Sequence, residues 1–93
     1  MRLDAKEQSA ISDTIRQVDA DALIYLFGSR ADDAAKGGDI DLLVLSKTID
    51  LMTKLDILTQ LHQKLGERKI DIAVYADTAR PFARMVIKEG VRL

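Results

Sequence analysis

The residues best suited to chemistry stand in two short runs. The first is Leu26-Phe27-Gly28-Ser29-Arg30, and the second, after Ala31 to Gly38, is Asp39-Ile40-Asp41-Leu42-Leu43-Val44. Gly28 has no side chain to obstruct a phosphate. Ser29 offers a hydroxyl and a backbone N–H, and a helix starting there would add free N–H groups for an anion. Arg30 can neutralise a phosphate. Asp39 and Asp41 alternate with Ile40, so on a strand their carboxylates share one face. A third acid, Asp71, opens the strand-like run Ile70-Asp71-Ile72-Ala73-Val74. Hard oxygen ligands of this kind suit Mg2+, which prefers a few carboxylates plus substrate phosphates. Two such ions about 3.5–4 Å apart can stabilise the in-line displacement at a phosphorus. Asp71 can complete the nucleophile side and take the incoming hydroxyl's proton. Each motif alone is ordinary: Gly-Ser is common turn chemistry, and Asp-x-Asp often just solvates a strand start. Together they point to nucleotidyl transfer.

The elements that must position these residues follow from periodicity. Ile11, Ile15 and Val18 mark a helix from about Lys6 to Val18. Ala22 to Phe27 is a continuous apolar run closed by Gly28, which reads as a buried strand. A short helix is allowed in the following loop, and Asp39 to Leu45 forms the second strand. Leu51, Leu55, Leu58 and Leu65 line one face of a helix from Leu51 to Leu65, with Asp50 as N-cap and Gly66 as stop. Ile70 to Tyr75 is a third strand. Thr78 is expected to cap a helix running to Glu89, with Pro81 in its first turn, Phe82, Met85 and Val86 as its stripe, and Gly90 at its end. Val91-Arg92-Leu93 can add an edge strand or fray.

For one site to form, the first two strands must be antiparallel and the third parallel to the second, with the Leu51–Leu65 helix as crossover. The expected class is α/β (α+β), a mixed β-sheet flanked by helices in the order α-β-α-β-α-β-α.

Composition bounds the rest. The 93 residues suit one domain spanning 1–93, and 47% hydrophobic content allows a core. There is no cysteine, hence no disulfide framework and no thiolate metal site. The polar start Met1-Arg2-Leu3-Asp4 carries no secretory signal, and no apolar run could cross a membrane, so a cytoplasmic protein is expected. A net charge of -1 argues against direct nucleic-acid binding through a broad cationic surface.

Other polar residues read more plainly. His62 is expected at the core boundary, Asp32 and Asp33 in solvent, and Lys36-Gly37-Gly38 as a flexible lead into the second strand. Tyr25 and Tyr75 read as packing residues, Met52 and Met85 as core or interface fillers, and Arg80 and Arg84 as a solvated edge.

Gly28-Ser29, Asp39-x-Asp41 and Asp71 resemble the motifs of the minimal nucleotidyltransferases (MNT) in the DNA polymerase β-like superfamily. The resemblance spans essentially the whole chain. It implies that Asp39, Asp41 and Asp71 bind two Mg2+ ions, that Asp71 also acts as base, and that Gly28 and Ser29 hold a nucleoside triphosphate, ATP as donor. Larger members of the superfamily carry a second domain for the acceptor, which is not seen here. Stand-alone MNT proteins pair with helical HEPN ribonucleases. The resemblance therefore implies the antitoxin of a type VII-like HEPN/MNT toxin–antitoxin pair, transferring AMP to a tyrosine of the toxin in a hetero-oligomer. Two other readings stay open: inhibition of the partner by binding alone, and transfer to a small molecule such as an antibiotic with the help of a partner subunit.

Overall fold

The computed structural model of the chain describes residues 3–28, 39–66 and 68–93. Among them are three helices and four strands: α1 (Ala5–Val18), β1 (Leu23–Phe27), β2 (Ile40–Leu45), α2 (Leu51–Leu65), β3 (Ile70–Tyr75), α3 (Pro81–Glu89) and β4 (Val91–Arg92). The short helix expected between the first two strands falls at 29–38, outside the described residues. No helix among the described residues is long and apolar enough to cross a membrane.

Local chemistry explains most boundaries. Asp4 and Glu7 form a reciprocal capping box: Glu7 N–H donates to Asp4 Oδ1 at 2.7 Å, and Asp4 N–H donates to Glu7 Oε1 at 3.1 Å. Asp50 caps α2 as expected, accepting from Thr53 N–H at 2.8 Å. Gly66 ends α2 at φ +82°, where a side chain would be strained. The start of α3 differs from expectation, because Thr78 is not its cap. The residue before a proline is driven out of the helical region, and Arg80 accordingly sits extended at φ -82°, ψ 137°. The helix therefore begins at Pro81. The preceding turn is closed by Asp77, which accepts from Ala79 N–H, and by the Arg84 guanidinium, which donates to the carbonyls of Thr78 and Ala79. Arg84 thus has a structural role on what was expected to be a solvated edge.

The strands form one mixed sheet in the order β3-β2-β1-β4. β1 and β2 are antiparallel, β2 and β3 parallel, and β1 and β4 antiparallel. The last residues do not fray: Tyr25 pairs with Arg92 and Leu26 with Val91, and Leu93 N–H donates to the Ile24 carbonyl. Gly90 lets α3 turn into this strand. A Cβ there would stand 2.7 Å from both the Leu26 and the Val86 carbonyl oxygens.

The sheet is covered on both faces. Ile24, Leu26, Ile40, Leu42, Val44, Ile70 and Ile72 pack against Ile11 and Ile15 of α1 and Ile57 and Leu61 of α2. Tyr25 and Leu43 point the other way and pack with Ala83 and Val86 of α3. Burial on both faces is why β2 reads as an almost unbroken apolar run. Two helix faces differ from expectation. In α2 the sheet takes Ile57 and Leu61, with Leu58 and Leu65 half-buried beside them, while Leu51 and Leu55 are exposed. Apolar residues wrap more than one side of this helix, and the sheet can cover only one. In α3 the buried residues are Ala83 and Val86, whereas Phe82 and Met85 are open to solvent. Met52 and Met85, expected as core or interface fillers, are exposed and so not in the core, and Val18 at the end of the α1 stripe is exposed as well.

Polar contacts tie the layers. Ser46 Oγ donates to Asp19 Oδ2 at 2.6 Å and accepts from the backbone N–H groups of Thr48 and Ile49. The Ser46 hydroxyl holds the Asp19 carboxyl below its usual range. Lys64 Nζ donates to the buried Thr14 hydroxyl, and Arg68 pairs with Glu7. Leu61 is fully buried and Leu51 is 67% exposed. Leu61→Ala should therefore lower stability by about 2–5 kcal/mol. Leu51→Ala should change it by less than about 0.5 kcal/mol. Urea titration of the two variants separates them.

Candidate functional site

One end of the sheet gathers the acidic residues. β1 arrives there at Phe27 and Gly28, while β2 and β3 both depart from it. The pairing places Phe27 opposite Asp41, and Asp41 beside Asp71. Residues paired in this way project from the same face, and alternation puts Asp39 on that face as well. It is the α3 face: Leu43, Ala73 and Tyr25, of the same parity, belong to the cluster against α3. Ile40 and Leu42 are fully buried on the other side. The apolar residues of each strand thus anchor the direction in which its aspartate points. Asp39 and Asp71 are exposed and Asp41 is half-buried between them.

Gly28 closes β1 against this centre. Its φ of +73° lies in the left-handed region, and a Cβ there would stand 2.5 Å from Asp41 Oδ2. Backbone conformation and steric contact both require glycine. The main chain consequently runs directly beside the Asp41 carboxylate. Ser29 and Arg30, expected to contact phosphate, lie outside the described residues, as do Asp32, Asp33, Lys36, Gly37 and Gly38.

The electrostatics centre on Asp41. Its carboxyl is pushed above the usual range by burial first, then by the negative charges of Asp71 and Asp39, with Lys69 acting in the opposite direction. Three acids in one field make a place where a cation is favoured. The donor set is all carboxylate oxygen, which fits a hard divalent ion such as Mg2+ and would not select a soft metal. The side chains do not form a ready-made cage: among the described residues no three Asp, Glu, His or Cys side chains converge into a metal-holding group. Strand register brings the three positions to one edge, while the carboxylate oxygens, carrying like charge, are not drawn together.

A cleft of about 420 Å3 adjoins the acids on the same face, lined by Phe27, Gly28, Phe82, Met85, Val86, Glu89 and Gly90. The Phe27 and Phe82 rings meet edge to face with centroids 5.5 Å apart, and Tyr75 lies 6.0 Å from Phe82. Sequence periodicity placed Phe82 and Met85 with Val86 on one apolar stripe. Their spacing marks a shared helix face, but nothing in the spacing says whether the sheet beneath is wide enough to cover them.

The remaining polar residues stay apart from the acids. His62 is exposed on α2, the helix on the opposite sheet face. Arg80 stands at the start of α3, by the far end of β3, among Tyr75, Ala76 and Asp77. Tyr25 and Tyr75 pack in the α3-side cluster, as expected.

No curated protein matches the chain. A family model described as "Polymerase beta, Nucleotidyltransferase" matches residues 9–93. That stretch takes in the four described strands of the sheet and the three aspartates placed at one end of it. On this match the chain belongs to the polymerase beta nucleotidyltransferase family, and its mixed sheet is that of a nucleotidyltransferase domain.

Proposed function

We propose that this nucleotidyltransferase domain moves AMP from ATP to a hydroxyl, with Asp39, Asp41 and Asp71 as its working groups. The observation that carries the reading is the position of Asp41, with Asp71 as its register partner, Asp39 on the same face and the Gly28 backbone against its carboxylate. Asp39 and Asp41 would hold the divalent ions, with Asp71 completing the set. Bound there, two Mg2+ ions would supply neutralisation of the negative charge on the triphosphate and at the reacting oxygens. Asp71, exposed at the edge of the group, receives the proton of the acceptor hydroxyl. The acceptor oxygen then forms its bond to the α-phosphorus, and the bond to pyrophosphate breaks. Gly28 brings its backbone against the Asp41 carboxylate, and Ser29 and Arg30, the proposed phosphate contacts, follow it directly in the chain.

The finer reading concerns the acceptor. The likeness to minimal nucleotidyltransferases supports a tyrosine hydroxyl on a helical HEPN-type ribonuclease, with this chain as its antitoxin in the cytoplasm. In that arrangement the partner presents its own hydroxyl to the acids, so binding itself supplies proximity and orientation. A second reading, inhibition by binding alone, is favoured by a different feature: Leu51, Met52 and Leu55 leave an exposed apolar surface on the first turns of α2.

Incubation with Mg2+, α-labelled ATP and the helical partner separates these readings. The wild type should label the partner, and the partner's mass should rise by whole AMP units. Asp39→Asn combined with Asp41→Asn should reduce labelling to background with an unchanged circular dichroism spectrum. If no common nucleotide labels the partner, the transfer reading fails. If the double variant still neutralises the partner at equal stoichiometry, binding alone is sufficient.

Asp41 also links activity to stability. Its pKa is higher folded than unfolded, so its charge weakens the fold above the folded value, and the penalty disappears below the unfolded value. Asp41→Asn should therefore raise the melting temperature in metal-free buffer at neutral pH. The gain should shrink to nothing as the pH falls through the carboxylate range, measured by thermal melts across pH.

A further inference from the structure

Gly28 belongs to two features at once: it abuts the Asp41 carboxylate and it forms part of the wall of the Phe27–Phe82 cleft. Resting on the nucleotidyl-transfer reading above, we propose that this cleft seats the base of the donor nucleoside triphosphate, stacked on Phe82, with an N–H-bearing edge of the ring donating to the Glu89 carboxylate.

Position argues for the donor. Across the sheet, Asp71 stands on one side of Asp41, and Phe27 with Gly28 on the other. In-line displacement needs the attacking oxygen and the leaving pyrophosphate on opposite sides of phosphorus. With Asp71 on the side of the attacking hydroxyl, the pyrophosphate leaves on the Gly28 side, and the ribose and base, carried on an oxygen outside that line, have the Phe27 wall within reach. Phe27 is the cross-strand partner of Asp41, so the aromatic wall begins next to a carboxylate that would hold a divalent ion for the triphosphate.

The lining argues for a base rather than a phosphate. Phe27, Phe82, Met85 and Val86 give the cleft apolar, polarisable walls, and the one ionisable group among its described lining residues is Glu89. That surface stabilises no phosphate charge, and the carboxylate repels it. A planar ring suits the space, because every base has a π-face and stacks on aromatic side chains. A carboxylate accepts and does not donate, so it pairs with a ring edge that carries N–H groups. The cleft volume also falls in the range of about 300–1,000 Å3 usual for small-ligand sites. Phe82 packs one side against Phe27 and Tyr75, while Met85 and the outer face of Phe82 remain open although Ala83 and Val86, with Ile87 half-buried beside them, already seat α3 on the sheet.

The test compares ATP with inorganic tripolyphosphate, which carries the charge without the base. Calorimetry on the full chain with Mg2+ should show ATP binding more tightly than tripolyphosphate. Phe82→Ala should weaken ATP by roughly tenfold to a hundredfold and leave tripolyphosphate unchanged. Glu89→Ala should weaken ATP selectively, and Glu89→Gln, which keeps an acceptor oxygen, should restore part of the loss. If ATP binds to the wild type and is lost with Asp39→Asn plus Asp41→Asn, yet binds normally to Phe82→Ala and Glu89→Ala, the base lies elsewhere and this proposal alone falls. Equal loss of ATP and tripolyphosphate in Phe82→Ala also overturns it, because the ring would then shape the phosphate end. If the wild type binds neither ligand, both this proposal and the transfer reading fall.

Discussion

The pairing of β2 with β1 on one side and β3 on the other is the constraint on which the rest depends. Each pairing is held in register by residues buried on both faces, Ile40, Leu42 and Val44 toward α1 and α2, and Leu43 toward α3. A slip by one residue would turn every one of these side chains to the wrong face. The same slip would turn Asp41 away from Asp71 and from the Gly28 backbone. The hydrophobic effect, which is non-directional, thus fixes the direction of three carboxylates through the period of the strand. The placement of the acids at one end of the sheet is a consequence of the packing beneath it.

The edge works against the fold's own stability. Asp41 is crowded by two like charges and by burial, and its carboxyl is raised. Elsewhere carboxylates are placed to stabilise. Asp19 accepts from Ser46, and Asp50 caps α2 by accepting from Thr53, and these contacts lower both carboxyl pKa values. Those two contributions are present above the ordinary carboxylate range and are lost as the pH falls through the lowered values, opposite in sign to Asp41. A domain of this size has little core to spare. Placing the unfavourable charges at a strand edge, where Asp39 and Asp71 remain in water, limits what they cost.

α3 gives the second side of the site. Small Ala83 lets the helix sit close on Tyr25 and Leu43, and Gly90 lets it turn directly into β4. The helix starts at the far end of β3 and finishes beside Gly28, so its C-terminal half and the acidic edge share one face. Met85 and Glu89 stand there, and Phe82 in the first turn reaches the same cleft through its ring contact with Phe27, because of where the helix lies.

Much of this was legible from residue order. Gly28, the Asp39-x-Asp41 pair and Asp71 mark strand ends, and requiring them to meet forces antiparallel and then parallel pairing, which is the observed topology. Asp50, Gly66 and Gly90 bound their helices because capping and termination are local chemistry. The capping box at Asp4 and Glu7 was equally local and its spacing was there to be read. The proline effect on Arg80 was local too, and it overrode Thr78 as a cap. What residue order could not decide was which side of an amphipathic helix meets the sheet. Leu51 and Leu55 carry the same periodic signal as Ile57 and Leu61, and Phe82 and Met85 the same signal as Val86. Only the rotation and reach of each helix over a narrow four-stranded sheet settled which were covered. The acidic edge is therefore a property of sequence, since strand alternation is fixed at every residue. The cleft beside it is a property of tertiary packing, since a helix face has meaning only against the surface it lies on.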